Sequence, residues 1–404
     1  MMYRLSRHCR LTLRGLSVAW PGRQSGVLLV ILLAGLIVSG CGDEDVRPEP
    51  VELKPVTPQV SLSQVWSVGI GDGYDDEAVS LAPLVLDDQI TAVSRDGELQ
   101  AIERSSGEIL WERSIDEAIS GGVGGDSSRV FVTTADGNLI AVSATDGTEL
   151  WQISTGSEVL SAPLVARGLV FVQTIDGLVS AYDVANGQKR WDYREQEPAL
   201  TVRGTSPLNY DDRVELLLAA FANGSVVALD PRSGIPAWSQ IVAEPRGKTE
   251  LDRLIDIDGG TEVADGNVYA VAYQGNVAQL SAIRGRVDWL EKASSFARPT
   301  LGDRLLVLTA ENGDVVAWDA SSKTERWRTS EYAYRELSTP VMFRDHVFFG
   351  DLEGYVHVLE LAEGRTVARF RPADDAIIAA PIASADAIYF YGSDGELSAW
   401  TFDE

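Results

Sequence analysis

The sequence predicts an all-β chain closed into one eight-bladed β-propeller of four-stranded antiparallel blades, and three observations carry that expectation. A turn glycine recurs at Gly97, Gly137, Gly177, Gly224, Gly275, Gly313, Gly354 and Gly395, at spacings of 40, 40, 47, 51, 38, 41 and 41 residues. Six of these are followed 14 residues later by a tryptophan: Trp111, Trp151, Trp191, Trp238, Trp289 and Trp327. No segment after residue 60 combines helical length with a 3.6-residue apolar period. Repeats of about 40 residues built from short strands read as propeller blades.

The unit is clearest in Ile175 to Trp191, IDGLVSAYDVANGQKRW. Asp176-Gly177 marks a tight turn whose positive φ glycine adopts at no steric cost. Leu178 to Asp183 alternates, so Val179 and Ala181 share one face of a strand. A second turn at Gly187 leads to Trp191, a large ring to bury. Upstream, a proline after a small residue opens each inner strand, as in Ala82-Pro83, Ala162-Pro163, Ser206-Pro207, Thr339-Pro340 and Ala380-Pro381. A β-branched and aromatic strand follows, as in Val130-Phe131-Val132 and Ile388-Tyr389-Phe390.

The chain ends settle the count. Gly395 calls for a tryptophan 14 residues on, but the chain stops at Glu404, and Gln64-Val65-Trp66-Ser67 supplies the missing strand. The N-terminal strand thus closes the last blade and leaves no open sheet edge in the ring. The seventh repeat carries Ala368 in the tryptophan position, which makes its outer strand the weakest match.

Residues 1–40 hold five arginines, no acidic residue and an apolar run from Val27 to Val38. That run falls short of the roughly 20 residues of a membrane span and reads as a signal-peptide core. Val38-Ser39-Gly40-Cys41 resembles the bacterial lipoprotein cleavage box, which implies cleavage before Cys41 and diacylglycerol on its sulfur. Gly42, rather than Asp, follows the cysteine and favours sorting to the outer membrane. Cys9 falls in the removed segment, so the mature chain has no internal disulfide and relies on its apolar core. Residues 41–60 are expected to form a lipid-anchored tether, with Pro48, Pro50, Pro55 and Pro58 favouring an extended chain of roughly 50 Å reach. The propeller is expected over 61–404.

The formal net charge is −26, and loss of the five leader arginines takes the remainder to −31. Such a field repels nucleic acid and anionic lipid, and no Lys/Arg cluster forms a phosphate footprint. Most of this charge is expected to be a solubilising surface.

With glycine-to-tryptophan fixed, all length variation lies between a tryptophan and the next turn glycine. The two longest gaps are neighbours, 33 residues after Trp191 and 37 after Trp238. Their excess falls in Asp192 to Thr205 and Ser239 to Gly259, both crossovers from an outer strand to the next inner strand. Adjacent blades and a shared face make one raised surface, where binding function is expected. It offers Leu200-Thr201-Val202-Arg203-Gly204 opposite Glu250-Leu251-Asp252-Arg253, Asp256 and Asp258. An arginine among apolar neighbours suits a protein–protein hot spot. Equally, Arg203 can pair with Asp256 or Asp258 and pin the two loops together, and both roles can coexist.

The pattern Ala-x-Asp-x-x-x-Gly-x-x-x-Trp resembles the tryptophan-docking repeat of quinoprotein propellers. The segments 198–204, 248–258, Ala272-Tyr273-Gln274-Gly275-Asn276 and 350–357 further resemble the BamB family, lipoprotein subunits of the outer-membrane β-barrel assembly machinery. The resemblance covers the signal, Cys41 and all eight blades. It implies a non-catalytic scaffold that docks on the periplasmic POTRA domains of BamA, through the residues matching Leu200, Val202, Arg203, Asp256 and Asp258. Here Val202 stands where leucine is usual, and Ile255 and Ile257 make the second loop more apolar.

An enzyme of the quinoprotein dehydrogenase kind would need a cofactor site, commonly with Ca²⁺ and a vicinal disulfide. The chain has no Cys-Cys pair, and His346 and His357, the only histidines beyond the leader, lack metal-ligand spacing. Neither cofactor nor metal is therefore expected. A second non-enzymatic reading is a module holding unfolded outer-membrane proteins by edge pairing, which ring closure disfavours because only short outer edges remain.

Overall fold

The computed structural model describes residues 48–74, 79–202, 206–249 and 251–403. The leader, Cys41 and Arg203 lie outside the described residues. Among these residues the chain forms eight four-stranded antiparallel sheets. Blades 1 to 7 span residues 84–114, 119–154, 164–194, 209–241, 261–293, 300–329 and 341–370. Blade 8 joins residues 382–402 to the N-terminal strand Leu62–Gly69. The closing strand pairs antiparallel with Glu396–Phe402, Leu62 opposite Phe402 and Gly69 opposite Glu396. Blade 8 is then sealed to blade 1, where the buried Tyr391 hydroxyl donates to the Val93 carbonyl at 3.1 Å. The expected all-β, eight-bladed ring is the one observed.

The tryptophan repeat acts between blades. In each case the outer-strand ring lies over a turn of the next blade and its Nε1 donates to a carbonyl there. Trp111 reaches Ala144 at 2.9 Å, Trp151 reaches Val184 at 3.1 Å, Trp191 reaches Pro231 at 2.9 Å and Trp238 reaches Ala282 at 2.9 Å. Trp327 to Leu361 and Trp66 to Arg104 repeat the contact, both at 2.9 Å. The ring lies so close to the turn glycine that a Cβ on Gly234 would fall 2.5 Å from the Trp191 ring. Glycine is therefore required both for its φ of 70° and for the ring's approach.

Two departures have local causes. At the turn that Trp289 would cover, Lys323 replaces the glycine, its φ of 61° retained. Its ammonium donates to the Asp288 carbonyl at 2.6 Å, and the Trp289 ring packs edge-on against Trp318 instead. Ala368 stands where blade 8 has no hairpin to cover. There the two ends of the domain meet, Asp403 N donating to Ser61 O at 3.0 Å.

The compact unit begins at Glu49, earlier than the expected boundary at residue 61. Val51 to Gln59 lies as a strap along the outside of blade 7. Val51 N donates to Ala333 O at 3.0 Å and Gln59 N to Val367 O at 2.8 Å. Between them Arg335 donates to Val51 O at 3.1 Å and Arg369 to Lys54 O at 2.7 Å. Leu53 packs beside Trp327, Tyr332 and Phe349. Residues 51–59, expected within a 41–60 tether, are thus bonded to blade 7 and the crossover before it, while residues 41–47 lie outside the described residues.

Four antiparallel strands return the chain to one side of the disc at the end of each outer strand. All outer-to-inner crossovers, together with the Asp-Gly hairpins, therefore share a face. The long crossovers after blades 3 and 4 rise there.

Candidate functional site

The first crossover leaves blade 3 under tight local control. Glu195 N donates to Gly177 O at 3.0 Å, and Asn223 of the blade 4 hairpin donates to the Glu195 carboxylate at 3.0 Å. The second is ordered by a reciprocal cap, Thr249 N donating to Asp252 at 3.1 Å and Asp252 N to the Thr249 hydroxyl at 3.1 Å. That cap starts the 3₁₀ turn Leu251–Arg253.

Asp256 joins the two crossovers. Its carboxylate accepts the Val202 amide at 3.0 Å, while its own carbonyl accepts Tyr273 N of blade 5 at 2.7 Å. The loops thus meet on one face, as their lengths suggested. Asp256 is 1% exposed and Asp258 5% exposed, the latter lining the central channel. Both aspartates, expected at the partner surface, are buried. Ile255 and Ile257 are also buried, packed with Val242, Ala243 and Ala272. The extra apolarity of that loop therefore feeds the core rather than the surface.

Three apolar side chains face outward among exposed charged residues such as Arg246, Lys248 and Arg253. Leu200 is 48% exposed, Val202 38% and Leu251 67%. Arg203 lies outside the described residues. Two contributors were not singled out from sequence: Ile175, in the blade 3 hairpin, and Phe296, in the crossover after blade 5, both more than a third exposed. Phe296 stacks on Tyr273 with ring centroids 4.6 Å apart, which holds it in place. A bulky apolar residue in an outer-to-inner crossover was the signal available.

Beneath the first loop, burial pushes the Glu197 carboxyl up to about 7, with the negative charge of Asp256 adding to it and the amides of Ala222 and Asn223 opposing. The folded chain therefore holds this proton more tightly than the unfolded chain. Stability from this group is full below about pH 4.5 and falls as pH rises through 7. Glu197→Gln is expected to raise stability at pH 8 by about 1 kcal/mol, discounted for partial screening, and to change little at pH 4.5. Thermal melts of both proteins at the two pH values check this.

The central channel, about 580 Å³, is lined largely by small and hydroxyl residues such as Ser80, Ser161 and Thr339. Its Arg298 is paired with Glu262. His357 is committed on both ring nitrogens, accepting from Arg369 at Nδ1 (3.1 Å) and facing Asp351 across Nε2 (2.8 Å). Burial lowers its pKa, with Asp351 opposing. Among the described residues no three His, Cys, Asp or Glu side chains converge as a metal site. No helix among them is long and apolar enough to cross a membrane.

Residues 74–329 match the family model described as outer membrane protein assembly factor BamB. The assembly factor BamB of Pseudomonas aeruginosa is 46% identical over 373 residues, 92% of this chain and 97% of that protein. Its counterpart from Marinobacter adhaerens is 42% identical over 379 residues, 93% of this chain and 96% of that protein. The crystal structure of BamB from Moraxella catarrhalis superposes with a TM-score of 0.78 at 29% identity, covering 85% of this chain and all of that one. A quinohemoprotein alcohol dehydrogenase from Comamonas testosteroni reaches a TM-score of 0.67 at 14% identity, over 84% of this chain and 76% of that one, and shares the propeller fold alone. On these matches, which span most of its length, the chain belongs to the BamB family of outer membrane protein assembly factors.

Proposed function

We propose that the chain is a non-catalytic adaptor of the Bam complex, anchored through lipid on Cys41 to the periplasmic side of the outer membrane. Its long-loop face grips the POTRA domains of BamA and so promotes outer-membrane protein assembly. The observation that carries this reading is the join between the two long crossovers at Val202 and Asp256, which brings together the loops that expose Leu200, Val202 and Leu251. Surfaces of this kind bind through a few apolar and arginine anchors, and Arg203 is the arginine in reach along the chain. Asp256 and Asp258 support the anchors from behind.

A non-catalytic role fits the same residues. His357 has no free nitrogen, and the arginine of the channel is already paired.

Leu200→Asp and Leu251→Asp each remove an exposed apolar group without touching the core. Each is expected to weaken binding to the isolated POTRA domains by about 2 kcal/mol, roughly thirtyfold, with an unchanged melting temperature. Calorimetric titration measures it. Unchanged affinity in both variants would move the dock elsewhere on the disc.

A further inference from the structure

Seven of the eight turn glycines adopt a positive φ, from 75° at Gly137 and Gly177 to 98° at Gly97. Blade 5 departs from that rule. Its positive φ, 50°, falls one residue earlier on Gln274, and Gly275 itself lies outside the left-handed region. A residue with a Cβ is strained in that conformation, and such strain gathers at sites where side chains are aimed at a ligand or partner.

Contacts on both sides hold the hairpin in this form. Gln274 N donates to the Ser294 hydroxyl at 2.9 Å, in the crossover after blade 5. Its side-chain Nε2 donates to Leu251 O at 3.4 Å, in the crossover before it. The neighbouring Tyr273 donates its amide to Asp256 O and stacks its ring on Phe296, the planes only 18° apart. One dipeptide thus ties the long second crossover to Phe296.

Phe296 is ordered before any partner arrives. Its chain neighbours, Ser295 and Ala297, are both buried. The Ser295 hydroxyl accepts Ala297 N at 3.0 Å and donates to Thr309 O at 2.6 Å, which pins the backbone on either side of the ring. The ring itself stays 37% exposed at the mouth of the central channel. Its crossover opens on the same face as the long loops. An aromatic side chain fixed in advance offers a large contact area at little cost in conformational freedom.

We propose that Phe296 is a third anchor of the dock, meeting an apolar group of the same POTRA partner that Leu200 and Leu251 engage, with Tyr273 as its positioning residue. This rests on the docking function proposed above. Continuity of the surface sets the choice of occupant. Gln274 touches Leu251 and Tyr273 touches Phe296, so the two exposed side chains flank one dipeptide. A standard interface buries roughly 800 Å² on each partner, enough to cover both. The dock therefore extends beyond the two long crossovers to the one after blade 5.

Calorimetric titration of the full chain with the isolated POTRA domains tests this, with a melting temperature recorded for each variant. Phe296→Ala is expected to weaken binding about tenfold with the melting temperature unchanged. Tyr273→Ala is expected to weaken it about fivefold, whereas Tyr273→Phe, which keeps the stacked ring, stays within about twofold of the wild type. Because Tyr273 acts through Phe296, combining Tyr273→Ala with Phe296→Ala is expected to cost no more than about tenfold. Losses that multiply in the double variant would overturn the positioning role. An affinity of Phe296→Ala within about twofold of the wild type, at any melting temperature and beside a weakened Leu251→Asp, would overturn the third anchor and leave the dock standing. No binding by the wild type, or full affinity in Leu200→Asp, Leu251→Asp and Phe296→Ala alike, would overturn the dock and the anchor with it.

Discussion

Asp351→Ala is expected to destabilise the propeller by about 3–5 kcal/mol, because it strips a buried charge network of its centre. Asp351 is 0% exposed and serves four donors. One carboxylate oxygen takes Arg335 and His357, and the other takes the amides of Glu353 at 2.9 Å and Tyr355 at 3.1 Å. Burial acts to raise its pKa, but the contacts with His357 and Arg335 outweigh burial and hold it below the usual carboxylate value. The sign for pH follows. A carboxylate with a depressed folded pKa contributes stability above its unfolded pKa of about 3.9 and loses it as pH falls further. Without Asp351, Arg335 keeps Glu353 and the Val51 carbonyl, but its innermost partner is gone. Urea melts at pH 7 give the magnitude. A loss below about 1 kcal/mol would mean that water or a rearranged Arg335 replaces the missing charge.

Trp191→Ala is expected to cost about 3–5 kcal/mol, the range for removing a large buried aromatic. The Trp191 ring seals blade 3 to blade 4, contacts Phe171 at 5.8 Å between centroids and leaves its Nε1 donor bonded to Pro231 O. Truncation leaves a cavity between two sheets and an orphaned carbonyl. Trp289→Ala should cost less, because that ring has no glycine turn beneath it and no matching carbonyl bond to its neighbour. Denaturant melts of the two variants side by side separate a docking contribution from simple loss of ring area. Equal costs would show that burial alone matters.

These two variants also show what the sequence discloses and what it conceals. A fixed glycine-to-tryptophan interval is visible in one dimension because it is set within one blade by hairpin geometry. The closing strand was visible for the same reason, since Trp66 carries the missing half of a repeated contact. Loop length likewise pointed to the face that meets at Val202 and Asp256. Side-chain direction within those loops was hidden. Asp256 faces inward because Tyr273, from the next blade, pairs with its backbone, and nothing within residues 248–258 announces that partner. The strap was hidden for a similar reason. Proline-rich composition reads as free tether, while its anchors, Arg335 and Arg369, lie almost 300 or more residues away along the chain. Ala368 looked like decay of the repeat, but it marks the one junction where the next blade's turn is replaced by the meeting of the two chain ends.

The most direct test of the dock is a photo-crosslinking scan in cells, with the reactive residue placed at Leu200, Leu251, Ile283 or Thr145. Leu200 and Leu251 are expected to capture a POTRA domain of BamA, and Ile283 and Thr145, away from the long loops, are expected to capture none. Capture at Ile283 or Thr145 with silence at Leu200 and Leu251 would contradict the account.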